Sequence, residues 1–155
     1  MSVSVAARPA AYPSSDMSVP HLELPLAEAI ARDVRRALDE DIGSGDATAD
    51  LLPNDAFAQA RVVTREAAVL CGTAWFDACF RALDDAVRIE WLAHDGEAVA
   101  PGALLCRLEG SARALVTGER TALNFLQTLS GTATATAAFV DAVRGTRTTV
   151  LDTRK

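Results

Sequence analysis

The chain has 155 residues, half of them hydrophobic, and its 15 basic and 21 acidic residues give a formal net charge of −6. That length suits one domain, or one and part of another, with a real core. The acidic balance argues against general nucleic-acid binding, which needs a basic surface, yet a local arginine cluster could still hold a small anion. No apolar run approaches the roughly 18 residues of a membrane span, so no membrane association is expected.

Residues 1–24 are rich in Ala, Ser and Pro and lack a solid apolar stretch. They read as a disordered tail and not as a secretory signal. After Pro25, "LAEAIARDVRRALDEDI" repeats Leu26, Ile30, Val34, Leu38 and Ile42 every fourth residue. This is one apolar stripe along a helix, with Arg32, Asp33, Arg35, Arg36, Asp39 and Glu40 largely off it. "GSGD" stops the helix, since glycine tolerates the positive φ of a C-cap, and Asp46 and Thr48 read as turn or cap residues.

"ARVVTREAAVLCG" suggests one or two short strands. "GTAWFDACFRALDD" sets Trp75, Phe76, Cys79, Phe80 and Leu83 at helical spacing. "VRIEWLAH" alternates, with Val87, Ile89, Trp91 and Ala93 on one face. "HDGEAVAPGALLCRLEG" carries turn signals at Asp95-Gly96 and Pro101-Gly102, then alternates through Leu104, Cys106 and Leu108. Residues 25–110 therefore read as a mixed helix-and-strand unit. From Ser111 the pattern is helical, with Leu115, Leu123, Leu126, Leu129, Phe139 and Val143 as anchors. Gly118 and Gly131 are weak points expected to divide it into two or three helices, and Gly145 suits a C-cap. "TRTTVL" is β-branched and short enough for a buried strand, so an α/β repeat opens over 111–155.

Five sets of residues could carry chemistry. The "DGEAVAPGALLCRLEG" segment looks like the hairpin of a biotinyl or lipoyl carrier domain, but such domains need a lysine at the tip, and Lys155 is the only lysine here. His21 and His94 are far apart and lack metal-ligand spacing; His94 precedes a turn and reads as a surface residue. Cys71, Cys79 and Cys106 are odd in number and lack CxxC spacing, which fits small core hydrophobes in a reducing cytoplasm. Asp39, Glu40, Asp41 and Asp46 read as a solvated acidic face. The remaining set is Arg120 in "GERTALNFLQ" with Arg154 and Lys155. A strand ending in Asp-Thr-Arg-Lys puts polar groups at its carboxyl edge, where α/β barrels hold their sites. Arginine can grip a carboxylate bidentately and lysine can reach a phosphate.

Four segments resemble the quinolinate phosphoribosyltransferase family: "LDEDIGSGDATADLLP", "HDGEAVAPGALLCRLEG", "GERTALNFLQTLSGTATATAAFVDAV" and "LDTRK". Thr132 departs from the aliphatic residue usual in the family's "SGIAT", a packing difference. The resemblance implies an α+β N-terminal sandwich domain over 25–110, with helices on a small mixed sheet and a barrel-sandwich-like hairpin. The first elements of a truncated α/β barrel would follow over 111–155. It implies conversion of quinolinate and phosphoribosyl pyrophosphate to nicotinate mononucleotide, pyrophosphate and carbon dioxide, with magnesium. It also implies a cytoplasmic homodimer or higher homo-oligomer whose sites are shared between subunits. Arg120 would reach into the neighbour's site and hold quinolinate, and Thr153, Arg154 and Lys155 would bind substrate at the end of the first barrel strand. The magnesium and ribose ligands would lie in a further C-terminal part, so the 155 residues are expected to be inactive alone. Two alternatives are a molybdenum-transport-associated phosphoribosyltransferase homologue and a non-catalytic oligomerisation partner.

Overall fold

The computed structural model of the chain describes residues 26–43 and 45–151. Three helices pack on five short strands. Helix α1 (Leu26–Ile42) buries Val34 and Leu38, and Ile30 and Ile42 pack against the same core. Leu26, first in the stripe, is exposed. The helix ends where Gly43 adopts φ +53 and its N–H reaches the Asp39 carbonyl at 3.2 Å. That left-handed turn is the stop expected of a glycine at this point.

After a 3-10 turn at Ala49–Leu51 come β1 (Phe57–Val63) and β2 (Ala68–Val69), then α2 (Thr73–Leu83). The face of α2 read from the sequence is the buried one: Phe76, Cys79 and Phe80 are nearly inaccessible. Phe76 meets Phe80 and Trp91 edge-on, with ring centroids 5.1 and 5.2 Å apart. No side chain of its own caps α2. Asp95, 22 residues on, accepts hydrogen bonds from the Gly72 and Thr73 N–H groups at 3.2 Å each. A carboxylate there satisfies orphan donors and faces the positive end of the helix dipole.

The strands β3 (Arg88–Trp91), β4 (Ala98–Val99) and β5 (Leu104–Ser111) complete two sheets. One has the order β1-β5-β3 and the other is β2-β4. All pairings are antiparallel, so the sheet is not mixed as expected. Nor do β4 and β5 form a hairpin with each other. The chain turns at Pro101-Gly102, where the Gly102 N–H donates to the Thr64 carbonyl at 2.8 Å, and enters the other sheet. The two halves of that motif thus lie in separate sheets, because each finds a longer-range neighbour. The alternation read in β3 holds: Val87 and Ala93 are buried and Ile89 and Trp91 pack on the core. On the opposite face Arg88 pairs with Glu109 at 3.6 Å and Arg107 with Glu90 at 3.1 Å.

Helix α3 (Ala112–Ala142) is one continuous helix of 31 residues, not two or three. Gly118 does not break it. A Cβ there would stand 2.9 Å from the Phe80 ring and 3.0 Å from Leu83. The glycine marks the close crossing of α3 over α2, and packing offsets its poor helix propensity. Ala114, Leu115, Ala122 and Leu126 join the core formed by α1, α2 and the sheets, which is continuous across residues 110 and 111. Gly145 adopts φ +82 two residues beyond the C-cap Val143. The β-branched run after it is not a buried strand: 148–151 have no strand pairing, and Leu151 is 75% exposed. A strand exists only where a neighbour supplies its hydrogen bonds, and among the described residues none does. Among those residues no helix is long and apolar enough to cross a membrane.

Candidate functional site

The α1–α3 contact is built from the acidic residues at the end of α1 and the loop after it. Asp46 accepts the Thr48 and Ala49 N–H groups at 2.9 and 3.1 Å through one oxygen, the turn geometry expected of it. Its other oxygen accepts the Thr117 hydroxyl at 2.9 Å. The Ala49 N–H and then the Thr117 hydroxyl hold the Asp46 carboxyl below its ordinary pKa. One turn further along α3, Asp41 accepts the Thr121 hydroxyl at 3.0 Å and an Arg120 N–H at 2.9 Å. Asp41 and Asp46 are therefore not part of a solvated face. They tie the end of α1 to α3, while Asp39 and Glu40 stay exposed.

Beside these contacts lies a groove of about 690 Å3 between α1 and α3. Asp33, Glu40, Asp41, Trp75, Arg120 and Phe125 line it, with Asn124 and Thr128 on the Arg120 face of α3. The Arg120 side chain is 76% exposed, whereas that of Asp41 is 22% exposed. Trp75 donates its indole N–H towards Asp33 at 3.5 Å, closing the far wall. Three carboxylates and one guanidinium do not make a positive field. An anion entering here would need cations from outside the groove.

The remaining candidates are placed as follows. His94 is exposed, and its backbone N–H donates to Glu97 at 3.1 Å. Cys71, Cys79 and Cys106 are free thiols. Burial pushes Cys79 and Cys106 up to about 12, with the Asp77 charge adding to the effect at Cys106, so both stay neutral core groups. Cys71 is raised by burial and then by Asp95. Thr153, Arg154, Lys155 and His21 lie outside the described residues. Among the described residues no group of three or more His, Cys, Asp or Glu could hold a metal ion.

Residues 46–130 match the sequence model for the quinolinate phosphoribosyl transferase N-terminal domain. The chain belongs to this family. It is 39% identical over 133 residues to the carboxylating nicotinate-nucleotide pyrophosphorylase of Mycobacterium leprae, covering 81% of this chain and 46% of that protein. It is 36% identical over 124 residues to the chloroplastic protein of the same name from rice (Oryza sativa subsp. japonica), covering 79% of this chain and 33% of the relative. The solved nicotinate-nucleotide pyrophosphorylase of Francisella tularensis superposes with a TM-score of 0.78 at 40% identity, over 82% of this chain and 46% of that one. The chain thus spans less than half the length of these relatives.

Within this family domain the sequence singled out Arg120 but not its partners. Asp41 lies 79 residues from Arg120 and 80 from Thr121, and no local pattern announces its contacts with α3. The one available signal was the position of two aspartates at a helix C-terminus, where the dipole disfavours them unless a partner compensates.

Proposed function

We propose that this chain supplies the N-terminal part of a carboxylating quinolinate phosphoribosyltransferase. The reaction joins quinolinate to phosphoribosyl pyrophosphate and yields nicotinate mononucleotide, pyrophosphate and carbon dioxide. One observation carries the proposal: within the segment matched to the family, Arg120 stands exposed at the mouth of the α1–α3 groove. Quinolinate has two carboxylates, and an exposed guanidinium with donors to spare suits one of them.

The acidic lining of the groove supports a shared site. Arg120 would serve a dianion best by projecting towards cations on another subunit, namely Arg154 and Lys155 with Thr153, in a homodimer or higher homo-oligomer. In that reading the residues after α3 lead into an α/β barrel. Magnesium belongs to the same proposal and would be held by residues other than those described. The three free thiols support a reducing compartment, the cytoplasm.

The test is a chimera in which residues 1–155 precede the remaining part of the Mycobacterium leprae relative. It should release carbon dioxide in a quinolinate-dependent way. Arg120→Ala should weaken quinolinate binding by about 2–5 kcal/mol, as expected for a truncated charge pair, with little change in melting temperature. Mixing Arg120→Ala chains with Lys155→Ala chains should restore part of the activity, since one hybrid site regains both residues. Mixed oligomers with no recovered turnover would rule out the shared site.

A further inference from the structure

We propose that Asp41 is a positioning residue for Arg120: it fixes the guanidinium so that its free edge points out of the groove towards a carboxylate. The proposal rests on the functional reading of Arg120 given above. Three observations carry it. Asp41 is itself held, because its second oxygen accepts the hydroxyl of Thr121, a residue only 4% exposed. The carboxylate cannot swing away with the arginine. Asp41 then takes a single N–H of Arg120, from Nη1 at 2.9 Å. A guanidinium has five donors in a rigid fork, so Nε and Nη2 stay available to a ligand, with no hydrogen bond to them among the described residues.

The third observation separates positioning from plain architecture. The end of α1 is already latched to α3 one turn away, through Asp46 and Thr117 at 2.9 Å. An ion pair whose arginine is largely exposed adds little to stability. What Asp41 changes is the freedom of a long side chain that would otherwise sample many rotamers, and that freedom would have to be lost at each binding event. The charge itself works against binding an anion, so the geometric gain must outweigh it. Asparagine separates the two effects. Its carbonyl can accept from Arg120 and its amide can donate to Thr121, with no charge.

The experiment has two readouts. In the 155-residue chain, side-chain NMR of Arg120 reports its rotamer distribution without any ligand. In the chimera, kinetics report KM for pyridine-2,3-dicarboxylate separately from kcat. Asp41→Ala should average the Arg120 rotamers and raise KM up to about tenfold, the scale of ordering one rotamer-rich side chain on binding, with kcat little changed. Asp41→Asn should keep the ordered side chain and a KM at or below that of the parent. In an Arg120→Ala background, Asp41→Ala should add nothing to KM, whereas a merely structural role would add its own effect. The proposal is overturned if Asp41→Ala leaves Arg120 ordered, or lowers KM, which would make Asp41 a competitor for the guanidinium. If Arg120→Ala alone leaves KM unchanged, the reading of Arg120 as a quinolinate contact falls, while the NMR result still decides whether Asp41 orders it.

Discussion

The two halves of α3 are one helix held by two different kinds of force. From Ala112 to Leu126 the helix buries Ala112, Ala114, Leu115, Gly118, Thr121, Ala122 and Leu126. From residue 127 to Ala142 no residue is buried, and Phe139 is 65% exposed. Apart from Leu129, which packs closely over Gly72, the second half is fastened by hydroxyls. Ser130 accepts the Cys71 N–H at 3.0 Å and donates to the Cys71 carbonyl at 3.1 Å. Thr134 accepts the Val69 N–H at 2.8 Å. Helical hydrogen bonding alone does not reveal which half is anchored. Apolar burial anchors the first half, and a few polar contacts to β2 and to Cys71 just after it steer the second.

The largest test of that contrast pairs two anchors read from the same periodicity. Leu126→Ala removes a side chain only 3% exposed and should cost about 2–5 kcal/mol. Phe139→Ala removes a larger one that touches little, and should stay within about 0.5 kcal/mol. Chemical denaturation of both variants decides it, and equal losses would mean that the distal half is packed after all.

Glycine gives a finer version, with opposite signs expected from one substitution. At Gly118 a new methyl group meets the Phe80 ring and Leu83 at about the distance real Cβ atoms do not reach, so Gly118→Ala should destabilise by about 1–3 kcal/mol. At Gly131 nothing lies within 4 Å. Gly131→Ala should therefore stabilise by about 0.5–1 kcal/mol through helix propensity alone. A stabilising Gly118→Ala would show that the crossing with α2 is looser than described.

These two glycines also show where reading a sequence stops. Both look like weak points in a helical pattern, because a glycine's local cost is visible and the neighbour that compensates for it is not. The stripes of α1 and α2 and the alternation of β3 were legible, since each is a local period that burial must respect. The Pro101-Gly102 turn was legible too, but not that β4 and β5 leave it for different sheets. A two-residue strand owes its pairing to β2, some 30 residues earlier in sequence. In sequence Asp41 and Asp46 look solvated for the same reason: their partners, Arg120, Thr121 and Thr117, come from an element 71 to 80 residues on. Arg120 itself was legible only through family likeness, because one arginine on a helix carries no local mark of function.

The smallest effect belongs to the hydroxyls that steer the distal half. Ser130→Ala or Thr134→Ala leaves one partly buried N–H, of Cys71 or Val69, without its side-chain acceptor, at a cost of about 1 kcal/mol each. The stability change is small enough that location is the better readout. Hydrogen exchange should show faster exchange at the Val69 amide in Thr134→Ala and at the Cys71 amide in Ser130→Ala. Amides of the buried half of α3 should keep their protection, because the burial of Leu115, Ala122 and Leu126 is untouched. Loss of protection along both halves together would mean that the helix opens as one unit, with the hydroxyl contacts supporting the apolar packing. Unchanged exchange at Val69 and Cys71 would mean that β2 is held by its pairing with β4 alone, and that the distal half of α3 keeps its direction from the buried half.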